Sequence, residues 1–169
     1  MKIFMVKVSF IVLLLACFQS MGCEKGIVIE GGNITIEFDQ NLHSRVISLI
    51  DGEKVILGDF GASEYLKEGA NLWTIFPFKS QKTSPIDDLV GKGTLFTIVG
   101  ESELFRKTIK AAVYTECPRM VIYTVTYENV SDKILRIENW TNNRYMLTSD
   151  PAQKEKKFWS FQSGSYENR

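Results

Sequence analysis

Met120-Val121-Ile122-Tyr123-Thr124-Val125-Thr126-Tyr127 reads as the strongest strand of the chain. β-Branched and aromatic residues fill it, and these favour a pleated backbone. Val121, Tyr123, Val125 and Tyr127 line one face at a period of two, while Met120 and Ile122 make the other face apolar as well. Apolarity on both faces predicts a strand that is central or covered on both sides. Upstream, Pro118 is expected to end the preceding strand, Leu104 to Thr115. There Phe105, Ile109 and Val113 face one way, with Arg106, Thr108 and Lys110 opposite. Gly100-Glu101-Ser102 turns that strand back onto another, Gly93 to Val99.

The pattern continues outward in both directions. Downstream, Asn129-Val130-Ser131-Asp132 predicts a turn into a strand from Ile134 to Trp140, with Leu135 and Ile137 inward and Arg136 and Glu138 outward. Upstream, Ile34, Ile36 and Phe38 alternate with polar residues, as a half-buried strand requires. Leu42 to Ile50 reads as strand or short helix, and Asp51-Gly52 before Val55-Ile56-Leu57 is a hairpin signal. Ser63 to Lys67 reads as a helical turn or a strand. Lys79 to Val90, rich in Ser, Thr, Pro and Asp, reads as a surface loop. Regular strand and turn spacing without long helical periodicity predicts an all-β fold, an antiparallel β-sandwich, over 27–169.

Composition narrows the function classes. Lys plus Arg and Asp plus Glu both number 20, so no basic face for nucleic acid is indicated. The first residues, Met1, Lys2, Lys7 and the apolar run Val8 to Ala16, read as a signal peptide, too short to span a bilayer. Leu14-Leu15-Ala16-Cys17 resembles a bacterial lipoprotein box, with Ser20-Met21-Gly22-Cys23 as a looser second candidate. The expectation is a signal over 1–22, cleaved before Cys17 or Cys23, with lipid on that cysteine. Ordinary cleavage to a soluble product is the alternative. The implied location is the periplasm or the outer membrane of a bacterium, with the lipid as membrane anchor. The chain is expected to be the exported front portion of a larger protein, its sandwich incomplete at the C-terminal end.

Of the three cysteines only Cys117 lies in the body, so no disulfide framework is expected. His43 is the single imidazole, which leaves Cys117 without an evident base and excludes a histidine metal cluster. Phosphate loops, zinc spacings and nucleophile elbows are absent, and no cofactor or metal is implied. Asp87-Asp88 and Glu101 with Glu103 are the paired carboxylates, but both read as ordinary turn residues. No catalytic residue is assigned. Trp73, Trp140, Trp159 and Tyr166 offer flat apolar faces on which a sugar ring stacks, Trp73 and Trp159 foremost. Filling or covering the core is the competing role for these rings.

Four segments carry a family resemblance. They are Asn41-Leu42-His43-Ser44-Arg45-Val46, Tyr123 through Lys133, Ile137 through Tyr145, and Phe158-Trp159-Ser160-Phe161-Gln162-Ser163-Gly164-Ser165-Tyr166-Glu167-Asn168-Arg169. Together they resemble the N-terminal β-sandwich, of the glycosidase supersandwich type, of α-galactosidases (melibiases) of glycoside hydrolase family 36. The resemblance implies a sandwich placed before a (β/α)-barrel, with retaining hydrolysis by two aspartates on that barrel. Neither aspartate has a counterpart here, so the chain alone is expected to be inactive. α-Galactosides would be partners through the barrel, and homo-oligomeric assembly is implied as well. The alternative is a non-enzymatic surface or periplasmic lipoprotein that binds a glycan or a protein.

Overall fold

The computed structural model describes residues 26–146, which are all-β, with eleven strands in three antiparallel sheets and no helix. The first sheet is a meander of β1 (Ile27–Glu30), β2 (Ile34–Phe38), β3 (Ser44–Ile50) and β4 (Glu53–Ile56). The second joins β7 (Phe78–Asp87), β8 (Lys92–Glu101), β9 (Phe105–Tyr114) and β10 (Cys117–Asn129) in sequence order. The third places β5 (Tyr65–Glu68) between β6 (Asn71–Trp73) and β11 (Ile137–Thr141).

Local chemistry sets the turns. Asp51 and Gly52 both have positive φ, 52° and 84°, and Ile50 pairs with Glu53. That is the two-residue hairpin in which both central residues must be left-handed, so the Asp-Gly signal and the strand reading of Leu42 to Ile50 hold. Between β1 and β2, a Cβ on Gly32 would lie 2.5 Å from Pro118 Cβ, and Asn33 N–H donates to the Pro118 carbonyl at 2.6 Å. The glycine lets the tip of the first sheet seat against the start of β10.

One core joins the sheets. Ile27, Ile29, Ile36 and Phe38 from the first sheet meet Ile98, Phe105, Ile109, Ala111 and Val113 from the second. Leu66 of β5 and the loop residues Leu42 and Phe76 complete the cluster. This is the expected alternation of inward apolar and outward polar residues in a sandwich.

Four expectations are corrected. Lys79 to Val90 is largely strand, because β7 pairs with β8 from Phe78↔Gly100 to Asp87↔Lys92. It is an exposed outer strand held by backbone bonds, where Lys and Pro85 are tolerated. Pro118 does not end β9. It lies within β10, where the pairing register shifts between Cys117 and Val121. Nor is β10 central, since it is the outer strand of its sheet among the described residues, and Met120 and Ile122 are exposed. Its other face, Val121 to Tyr127, packs partly on the core. Finally, the last strand starts at Ile137 rather than Ile134. Ile134 is fully exposed and Ile137 is also exposed, while Leu135 packs against the core from the preceding loop.

Candidate functional site

At the centre of the molecule lies a buried ion pair that the sequence reading missed. Lys107 shares the inward face of β9 with Phe105, Ile109, Ala111 and Val113. Strict alternation through Phe105 and Ile109 would have placed Lys107 inward. Its partner Glu64 immediately precedes β5. Lys107 Nζ donates to Glu64 Oε2 and to the Glu64 carbonyl, each at 3.1 Å, and both side chains are 0% exposed. The ammonium also sits 5.3 Å from the Phe76 ring centroid. Burial holds the Lys107 pKa below its ordinary value, with the Glu64 carboxylate opposing that shift.

Hydroxyl groups surround this pair. Ser44 and Ser63 share a short hydrogen bond between their hydroxyls, and Ser44 Oγ donates to Tyr145 Oη at 3.5 Å. Tyr127 packs on Phe76, with ring centroids 5.7 Å apart. Burial first, and then the charge of Glu64, push the phenols of Tyr123, Tyr127 and Tyr145 above their ordinary range.

Ser44 and Tyr145 also belong to the wall of an open groove of about 490 Å³. The segment after β4, β6 and the residues after β11 form its sides, with Arg45, Phe60, Tyr65, Leu72, Arg144 and Met146 prominent. Arg45 stacks over Phe60 at 4.5 Å and is paired with Glu37 at 2.7 Å. Arg144 donates to Tyr65 Oη at 2.8 Å. Hydrogen bonds from Thr141 and Arg144 lower the Tyr65 pKa. Leu72, at 57% exposure, and Met146, at 79%, give the groove an apolar lip. Asp59 is its one carboxylate among the described residues, so the groove has the means to bind but no acid–base pair.

The residues singled out from sequence are scattered. Asp88 is engaged in the β7–β8 turn, accepting from Val90 N–H and from the Tyr114 hydroxyl, both at 2.9 Å. These bonds lower its pKa. Asp87 lies 3.8 Å from Lys92, and Glu101 pairs with Arg106 at 2.9 Å. His43 bonds Asp39 through Nδ1 at 3.0 Å in the β2–β3 turn, and Cys117 is a free, half-buried thiol at the start of β10. No group of three or more metal-ligating side chains occurs among the described residues.

Trp73 points to the core side of β6, edge-on to Phe105 at 5.4 Å, with Nε1 buried and unpartnered. Its neighbours Leu72 and Thr74 face the groove instead. Trp140 is 66% exposed and borders a separate opening beside Val125 and Tyr127. Cys17, Cys23, Trp159 and Tyr166, the 1–22 signal and the Phe158–Arg169 segment lie outside the described residues.

Comparison with protein-family models, with curated proteins and with solved structures returns no match for this chain.

Proposed function

We propose that the chain is the N-terminal, non-catalytic β-sandwich portion of an exported α-galactosidase-like glycoside hydrolase that degrades carbohydrate. One observation carries this reading. Retaining hydrolysis needs two carboxyl groups about 5 Å apart across a sugar-sized site. The groove offers Asp59 alone, and Glu37, Glu64, Asp88, Glu101, Glu128 and Glu138 are each occupied in ion pairs or turns. In this reading the described residues act as a support, and the catalytic carboxylates would sit on the barrel. Three of the four segments that carry the resemblance occupy the β2–β3 turn, the end of β10 with its turn, and β11 with the groove wall. Exposed Leu72 and Met146 are the kind of surface that an adjoining domain covers.

In this reading the chain is exported and lipid-anchored through Cys17, or else Cys23, facing the periplasm or the exterior. A second reading, a non-enzymatic lipoprotein that binds a glycan or a protein, is favoured by the groove itself, where aromatic rings and arginines meet. The coding sequence after the Arg169 codon separates the two. A frame encoding a barrel, directly or after one frameshift, supports the first, and an unrelated gene behind a clean stop supports the second. The purified chain should not turn over an aryl α-galactoside. Turnover that disappears with Asp59→Asn would overturn the first reading.

A further inference from the structure

The second sheet treats its two edges differently. β7, one outer strand, carries Lys79, Lys82, Pro85 and Asp87. Charge and proline on an outer strand discourage pairing with further chain. β10, the other outer strand, has neither a charge nor a proline from Met120 to Tyr127. From Val121 to Asn129 it pairs with β9 alone among the described residues. β11 is likewise an outer strand of the third sheet and pairs with β5 alone among those residues. Both strands border one apolar slot of about 360 Å³, lined by Val125 and Tyr127 of β10, Ile137 and Trp140 of β11, and Leu66 of β5. Leu66 is a core residue at 2% exposure, whereas Trp140, its register partner on the same face, is 66% exposed. The slot therefore leads from solvent to the core between two strands that each lack a neighbour on one side.

We propose that residues 158–162 of this same chain add as a strand to the edge of β10 and seat Trp159 and Phe161 in the slot. Trp159 and Phe161 alternate with Ser160 and Gln162, the period that sends two aromatic rings to one face of a strand and two polar groups to the other. An added strand brings main-chain donors and acceptors to the outer edge of β10, and its alternate side chains enter the apolar slot. The chain is long enough. Residues 147–158 supply 12 residues after Met146, about 40 Å of extended chain. That is more than twice the length of β11, five residues at about 3.4 Å each. Tethering selects this occupant over a second copy, because a segment on a short linker meets its site at an effective concentration of about millimolar. The pairing needs neither a barrel nor a sugar, so it holds under either reading of the function.

Amide hydrogen exchange of the isotope-labelled full chain, read residue by residue by NMR, tests the pairing. In an antiparallel pair alternate residues bond to the neighbouring strand, so half of the amides from Val121 to Tyr127 point away from β9. The expected result is slow exchange in both halves. Trp159→Ser combined with Phe161→Ser should abolish protection in the outward half and leave the amides of β8 and β9 protected. Fast exchange of the outward amides in the native chain overturns the proposal. Protection that survives the double change, or that appears only as protein concentration rises, assigns the edge to another occupant and overturns it equally. Should the double variant fail to fold, nuclear Overhauser contacts in the native chain decide. Contacts from the Trp159 indole to Tyr127 or Ile137 support the pairing, and their absence refutes it.

Discussion

Lys107→Met is the most informative single change. It preserves side-chain bulk at an inward position of β9 and removes the only cation bonded to Glu64 among the described residues. Two 3.1 Å hydrogen bonds disappear, one to a carboxylate and one to a carbonyl, and neither residue has solvent to replace them. A hydrogen bond to a charged group contributes about 1.5–3 kcal/mol, and removing one member of a buried pair typically costs about 3–5 kcal/mol. The two estimates converge on a loss of about 4 kcal/mol. For a domain of this size that lowers Tm by roughly 12–20 °C. Glu64→Gln combined with Lys107→Met removes both charges and should recover most of the loss, because no ion is left stranded. Urea denaturation of the native chain, the two single variants and the double variant closes the cycle. A single-variant cost under about 1 kcal/mol, or a double variant as unstable as the sum of the singles, would refute the reasoning.

Ile109→Ala should cost about 2–5 kcal/mol in the same denaturation assay, since Ile109 is fully buried at the centre of β9. Gly100→Ala should destabilise without removing a single contact. The added methyl would lie 2.5 Å from the Phe76 carbonyl oxygen and 2.6 Å from Leu42 Cδ1, and thermal melting will show it. Stability should fall as pH rises above about 10. Burial raises the phenols of Tyr114, Tyr123, Tyr127 and Tyr145, so the unfolded chain releases those protons first and the folded state binds more of them. Lys107, lowered by burial, and Tyr65, lowered by its hydrogen bonds with Thr141 and Arg144, have the opposite sign, two groups against four. A urea midpoint that stays flat or rises between about pH 9 and 11 would contradict this balance.

What the sequence revealed depended on how each strand is held. β2, β8 and β9 are half-buried, so their side chains alternate and their periodicity is legible. β7 is held by its ladder to β8 while its side chains stay wet, so its composition is that of a loop. The apolar outer face of β10 suggested a covered strand because side-chain character alone does not report how many neighbours a backbone has. β6 is three residues long, too short for alternation to say that Trp73 turns inward and Leu72 outward. The groove unites Arg45, Phe60, Leu72 and Arg144, and the ion pair joins residues 43 positions apart. The groove leaves no local signal, and the ion pair leaves only the inward register of Lys107 between Phe105 and Ile109.

The way the third sheet closes has a consequence for the order of folding. β7 to β10 pair only with sequence neighbours and form through short turns. β11 reaches β5 across a long span, with Lys67 and Glu138 bonded at 71 positions apart. Closing a loop of that length costs about 4 kcal/mol of chain entropy before any contact repays it. The β7–β10 meander is therefore positioned to form early and act as the template, and the β5–β11 pairing is the late step on which the groove wall at Arg144 and Tyr145 depends. Conditions that loosen that last pairing would dismantle the groove while leaving the meander folded.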